Sequence, residues 1–357
     1  MLRQRLQPGL AAYLYNHAIS AREDMAVLNR LGRQPLQCGY PTRSLYKKAQ
    51  ALVRFLLTVG IVIVSNTSHG AVLQVGPNRI YKTLSAAAEV AKDGDSIKIA
   101  PGKYVDCAVW RANNLVIEGA GPSTVIGDKT CLGKGIFVIS GAHAHTTVRN
   151  LTLARAHVPE RNGAGIRLDA GNLLVERVRF IENENGILGG VPGTTITIRN
   201  SEFDRNGYCG AYCAHAVYAG HVEILRVENS RFIGTRIGHS IKSRAQLTEV
   251  VGCTILDGAE GTSSYLIDAP NGGTLIVRNN NLQKGQRSDN PKVAITIGEE
   301  GITQPTPKIA ITNNKFRNDG SSETVFVRNT TSISAMLESN NLSGFVKPLE
   351  GYGTVLP

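Results

Sequence analysis

A chain of 357 residues is long enough to bury a continuous core, and 42% hydrophobic with 19% charged residues is the balance of a globular protein rather than a disordered one. Its 38 glycines and 6% aromatics favour a turn-rich β architecture over a helical one. The net charge of +11 raises nucleic acid as a partner, but residues 1–70 hold nine Lys or Arg against two acids, so the rest of the chain carries only +4 and no nucleic-acid partner is expected of it.

The N-terminal part reads as a targeting segment. A basic stretch from Arg43 to Arg54 precedes the apolar run Phe55–Val64, followed by Ser68-His-Gly-Ala71. The run has 10 residues, short of the roughly 20 a membrane-spanning helix requires, so cleavage after Gly70 or Ala71 is expected, with no stable membrane span afterwards. Residues 1–71 are accordingly set apart as a basic lead-in and signal peptide, and 72–357 as one domain, periplasmic or secreted. Five of the six cysteines (Cys107, Cys131, Cys209, Cys213, Cys253) fall in that exported part, where disulfides are permitted.

The first element of the domain is a short helix over Tyr81–Ala91. It is Ala-rich, with Thr83 or Ser85 as its start and Asp93-Gly94 as its stop, and it suits a plug over one end of a core.

Beyond it one phrase recurs nine times, at spacings of 23 to 34 residues: apolar, any, Asn-like, any, any, large apolar. The copies start at Ile117, Val148, Val175, Ile198, Val227, Val250 (as if slipped by one), Val277, Ile311 and Leu337. Their third place holds Gly119, Asn150, Asn200, Asn229, Gly252, Asn279, Asn313 or Ser339, with Arg177 as the exception. Asn and Gly tolerate left-handed backbone, so the column marks one sharp corner repeated coil after coil. The sixth place supplies Leu153, Phe180, Phe203, Phe232, Ile255, Leu282, Phe316 and Leu342. No 3.6-residue periodicity runs through the repeats, which excludes a helical solenoid. The fold expected is all-β: a right-handed single-stranded parallel β-helix with a short N-terminal capping helix.

The segment YKTLSAAAEVAKDGDSIKIAPGKY (81–104) and the repeat phrases resemble the pectin-lyase-like superfamily of right-handed β-helix proteins, over roughly three quarters of the chain. The resemblance implies the scaffold and a polysaccharide or oligosaccharide partner on its outer face. It does not imply a particular activity, because the Trp-x-Asp-His and Arg-x-Pro-x-x-Arg patterns of pectate lyases and the paired Asp-Asp of polygalacturonases are missing.

Candidate chemistry concentrates in the middle coils, where Cys213-Ala-His-Ala-Val-Tyr218, Ile237-Gly-His-Ser-Ile-Lys242 and Ser263-Ser-Tyr-Leu-Ile-Asp268 align. With Val217, Ile241 and Ile267 inward, alternation places Tyr218, Lys242 and Asp268 outward in one column, and Arg244 on the same face. His215 and His239 then fall inward beside Tyr265. Asn271, Gly273 and Glu299-Glu300-Gly301 add polar density nearby. Cations to neutralise a carboxylate, a proton-transfer group and an aromatic surface suit a carbohydrate-active protein: a polysaccharide lyase, hydrolase or epimerase with Tyr218, Lys242, Arg244 and Asp268 as catalytic residues. A non-catalytic glycan-binding or structural envelope protein is the alternative. Cys209-x-x-x-Cys213-x-His215 is read as a local disulfide or two free thiols rather than a metal site, Cys107 and Cys131 as a bridge between neighbouring coils, and no motif names a cofactor.

Overall fold

The computed structural model describes residues 70–357 apart from Ala144 and Ala211. The targeting segment and the boundary expected after it lie almost wholly outside the described residues. Those described form a right-handed parallel β-helix with three walls. The first wall runs from Val72–Val75 to Gly353–Leu356, the second from Gly102–Val105 to Asn341–Ser343, and the third from Ala108–Trp110 to Val346–Gly351. The strands His145–Ala154 and Asn172–Ile181 pass through the corner between the first two walls, which joins these into one 20-stranded sheet, while the third wall is a 10-stranded sheet. Among the described residues no helix is long and apolar enough to cross a membrane.

The repeat phrase sets the register. Ile117 pairs with Val148, and the first place continues through Val175, Ile198, Val227, Val250, Val277, Ile311 and Leu337 without interruption. The Val250 copy is in step with its neighbours rather than slipped. The sixth place stacks likewise from Leu153 to Leu342. Within it the rings of Phe180, Phe203 and Phe232 lie face to face at 4.6 and 4.5 Å, contacts worth about 1 kcal/mol each beyond area burial.

The third place is the left-handed corner. Asn150, Asn200, Asn229, Asn279, Asn313 and Ser339 have φ between 47° and 60°, and Gly252 has φ 65°. Arg177 adopts the same conformation at φ 53° and donates from Nε to the Asn150 side-chain oxygen at 2.8 Å, which explains how an arginine stands in an asparagine column. Gly119 departs from the expectation: its φ is not positive. It is glycine because a Cβ there would meet the Asn150 carbonyl oxygen at 2.4 Å.

A second left-handed column, between the second and third walls, escapes composition altogether. It comprises Asp128, Arg155, Glu182, Arg205 and Gly234. Here ion pairs between successive coils, Arg155 with Asp128 at 2.5 Å and Arg205 with Glu182 at 3.2 Å, line the corner that asparagines line elsewhere.

Directly after the first corner lies a buried polar ladder: Ser201, Ser230, Cys253, Asn280, Asn314 and, partly buried, Asn340. Each side chain from Asn280 onward caps the backbone N–H of the coil before it; Asn314 Oδ1, for instance, accepts from the Asn280 N–H at 3.0 Å. Cys253 occupies the serine position as a free buried thiol whose pKa burial raises to about 11.

The helix spans Leu84–Val90. Thr83 caps it, its hydroxyl accepting from the Ala86 N–H at 3.2 Å, and Leu84 and Ala87 are buried over the first coils. Cys107 and Cys131 form a disulfide between neighbouring coils, with Cα atoms 5.6 Å apart, and Cys209 is joined to Cys213 across a small antiparallel hairpin. The core also holds one fully buried cation. Lys284 donates to the carbonyls of Ser263 at 3.0 Å and Ser264 at 2.5 Å, 3.9 Å from Asp257.

Candidate functional site

The third wall places Tyr218, Lys242 and Asp268 side by side: Tyr218 pairs in register with Lys242, and Lys242 with Asp268. Val217, Ile241 and Ile267, each one residue earlier, are in the core, so the three polar side chains stand on the outside of the coil. They are not open to solvent there. Lys242 and Asp268 are 8% and 2% exposed: Glu300, from the segment 298–306, lies against Lys242, and His239 and Lys242 lie against Asp268. That segment is pinned by backbone bonds from Glu300 N–H to the Pro270 carbonyl and from Thr303 and Gln304 N–H to the Asn271 carbonyl, each 3.0 Å.

The histidines are not inside, contrary to strict alternation. At this corner two consecutive residues enter the core, Ala216 with Val217 and Leu266 with Ile267, so the two-residue period breaks. The residue before each pair therefore lies on the outer side, three before its column partner. His215 stands edge-on to Tyr218 at 5.3 Å, and His239 Nδ1 comes within 3.0 Å of Asp268 Oδ2.

The network can be followed atom by atom. Asp268 Oδ2 lies 3.5 Å from Lys242 Nζ, while its Oδ1 is buried with no hydrogen-bond partner among the described residues. Lys242 Nζ donates to Glu300 Oε1 at 2.6 Å, and Arg244 Nη2 to Glu300 Oε2 at 2.6 Å. Arg244 Nε donates to the Tyr218 hydroxyl at 2.8 Å, and its Nη1 to the Asn271 side-chain oxygen. Thus Lys242, on the strand Ile241–Ser243, and Arg244, directly after it, converge on a single carboxylate.

The charges follow from these contacts. Burial, then the neighbouring His239, Lys242 and Arg244, hold His215 well below the usual histidine range. Its Nδ1 accepts from the His239 N–H at 2.9 Å, so the neutral ring carries its proton on Nε2. For Glu300 burial opposes ionisation, but the hydrogen bonds from Lys242 and Arg244 outweigh it and lower its pKa. Burial likewise opposes the Arg244 charge, and Tyr218 and Glu300 prevail to raise it.

All four expected site residues are therefore brought together. What alternation alone does not give is the roof: Glu300 and Asn271 complete the cluster from later in the chain, and Gln304 reaches His221 Nδ1 at 3.3 Å. The sequence signal for the roof is the acidic pair Glu299-Glu300 directly after a strand and before Gly301. The column continues beyond Asp268 with Thr296, Arg328 and Glu350, so the outer face of this wall stays polar to the last coil. Among the described residues no group of three His, Cys, Asp or Glu side chains could hold a metal ion, and Cys209 and Cys213 are bonded to each other.

No protein-family model matches the chain, and no curated protein matches it. Solved structures similar to it include pectin methylesterase PemA from Erwinia chrysanthemi, at 11% identity and TM-score 0.36, and two pectin methylesterases in complex with hexasaccharides, at 13% and 12% identity and TM-score 0.32. Each alignment covers 80% of this chain and 81% of the other. These likenesses concern the path of the chain alone.

Proposed function

We propose that the protein is exported and acts on an acidic extracellular glycan as a polysaccharide lyase, with Tyr218, Lys242, Arg244 and Asp268 as its working residues. The observation that carries this reading is the convergence of Lys242 and Arg244 on one carboxylate, 2.6 Å from each. Glu300 stands where the carboxylate of a bound uronic acid would be held. The formation of Cys107–Cys131 and Cys209–Cys213 fits an oxidising compartment and supports export.

In the reaction, Lys242 and Arg244 neutralise the uronate carboxylate, which acidifies the adjacent C5–H. The Tyr218 oxygen, oriented by Arg244 and entering the step as the phenolate, removes that proton, which is the one later passed to the departing oxygen. The electron pair forms the C4–C5 double bond as the C4–O4 bond breaks, and a proton returns to the departing oxygen. Asp268 and His239 hold the Lys242 ammonium in place from behind. With a reprotonated C5 and no bond cleavage, the same groups would instead perform epimerisation, so the product decides between the two.

Tyr218→Phe and Lys242→Met are each expected to lower kcat/KM at least about 100-fold, measured as ultraviolet absorbance of unsaturated product from a panel of acidic polysaccharides. If no member of the panel is degraded or epimerised, the enzyme reading fails. Glu300→Ala should lower KM by roughly five- to tenfold, about 1 kcal/mol, because it removes an internal competitor for the cation pair. A raised KM would instead make Glu300 a substrate-binding group.

One observation favours a second reading, a static glycan-binding platform: both cations are already satisfied by Glu300. Saturable binding of an acidic oligosaccharide that survives Lys242→Met and Asp268→Asn, without turnover, would decide for it.

A further inference from the structure

A separate cavity of about 400 Å³ opens among the turns between the second and third walls, lined by His157, Arg161, Glu184, Tyr208, Arg236 and Ile237 among others. At its floor lies Glu184, whose side chain is 1% exposed. Glu184 Oε2 is satisfied, accepting from the Val158 N–H at 3.1 Å and the Gly163 N–H at 2.8 Å. Oε1 is buried without a hydrogen-bond partner among the described residues. The nearest basic nitrogens are His157 Nδ1 at 3.4 Å and Arg161 Nη1 at 3.7 Å, on side chains that are both more than half exposed. A carboxylate oxygen shut away without a donor destabilises the fold unless a donor reaches it.

What covers that oxygen indicates what belongs there. The Arg161 guanidinium lies over the Tyr208 ring, 5.0 Å from its centroid, as well as against Glu184. A cation between an aromatic face and a buried carboxylate is the arrangement that proteins use to bind organic ammonium groups. The other charges do not alter this. Arg236 is paired with Glu182, which also holds Arg205, and Glu260 is paired with Arg287. With the exposed Arg161 side chain turned outward, Glu184 is the lining carboxylate without an arginine partner, since Glu182 keeps Arg205 and Arg236 and Glu260 keeps Arg287.

The two clusters thus mirror each other: the Glu300 carboxylate sits on the cations of Lys242 and Arg244, and the Arg161 cation sits by the carboxylate of Glu184. They are close along the chain. Ile237 and Thr262 line the cavity, while His239 and Tyr265 flank the Lys242 cluster, and two or three residues span at most about 11 Å. We infer that the Glu184 pocket binds an amino sugar through its free ammonium group, with the sugar ring against Tyr208. The assignment of a sugar, rather than another amine, rests on the glycan reading above; it implies a glycan that carries amino groups as well as carboxylates.

The test is calorimetric titration of the full chain with glucosamine tetramer, its fully N-acetylated counterpart, and spermidine. The free-amine tetramer is expected to bind at least tenfold more tightly than the acetylated one. Glu184→Gln and the exposed-site variant Tyr208→Ala should each weaken it five- to tenfold, Arg161→Ala should strengthen it several-fold, and Lys242→Met should leave it unchanged. Equal affinity for the two tetramers, no binding of either, or weakening by Arg161→Ala overturns the proposal. Spermidine binding as tightly as the tetramer and indifferent to Tyr208→Ala overturns the sugar assignment. The two readings fail separately: a parent protein that turns over no acidic glycan but prefers the free-amine tetramer fails the enzyme reading alone, and one that turns over an acidic glycan but binds the two tetramers equally fails this one alone.

Discussion

Replacing Asn314 with alanine should cost about 3–5 kcal/mol of stability and lower the melting temperature by roughly 10 °C. The residue sits inside the stack, 1% exposed, and serves three coils. Its Oδ1 accepts from the backbone and side-chain nitrogens of Asn280 at 3.0 and 2.8 Å, while its Nδ2 donates to the Val277 carbonyl and to Asn340 Oδ1 at 3.0 and 2.9 Å. Alanine strands a buried backbone N–H on one side and a carbonyl on the other. The adjacent Asn313 supplies the control. It turns the corner at φ 56° and is half out of the core, so Asn313→Gly should stay within about 1 kcal/mol of the parent. Equal losses at the two positions in thermal melts would show that the ladder contributes nothing beyond the turn.

Stability should also rise with pH from about 8, because Lys284 is buried. Burial lowers its pKa from 10.5 to about 8, with Asp257 and Asp289 only partly countering. Below pH 8 the lysine is charged in both states, and the folded state carries the full cost of burying that charge. Between pH 8 and 10.5 the folded protein has released the proton while the unfolded chain still holds it, so each added pH unit favours folding by up to about 1.4 kcal/mol. The whole window is worth about 3 kcal/mol, of which roughly 1 is gained between pH 8 and 9. Cys253 works the other way: its thiol, held near 11 instead of 9, removes stability above pH 9. The decisive quantity is therefore the difference in denaturant midpoints between the parent and Lys284→Met. That difference should move in favour of the parent as pH increases. A flat difference would mean that the amine is neutral at every pH, or that water reaches it.

The scaffold was legible because its two most repetitive positions are chemically marked. A left-handed corner selects Asn or Gly, and the stacked sixth place selects Phe, Leu or Ile, so register follows by counting. The second corner was not legible, since Asp128, Arg155, Glu182 and Arg205 satisfy it through ion pairs whose partners come from neighbouring coils. The column Tyr218, Lys242 and Asp268 could be read because the residue before each is aliphatic and buried. The placement of His215 and His239 could not, because a bend that turns Ala216 and Val217 inward together leaves no trace in a two-residue pattern. Glu300 was visible as an acidic residue, but its contact with Lys242 spans 58 residues, and nothing local announces a roof.

The disulfide between Cys107 and Cys131 gives the molecule a direction in which it comes apart. A stack of coils frays at its ends, where each strand has a neighbour on one side only. At the N-terminal end the bond closes a loop of 24 residues, worth about 3 kcal/mol, beneath a helix that already covers the first coils. The coil built from Val346–Gly351 and Gly353–Leu356 has no crosslink, and Val355 and Leu356 lie about half exposed on it. Among the described residues, local opening is therefore expected to be easier in that coil than in the coils joined by Cys107 and Cys131, and hydrogen exchange of their backbone amides measures the difference.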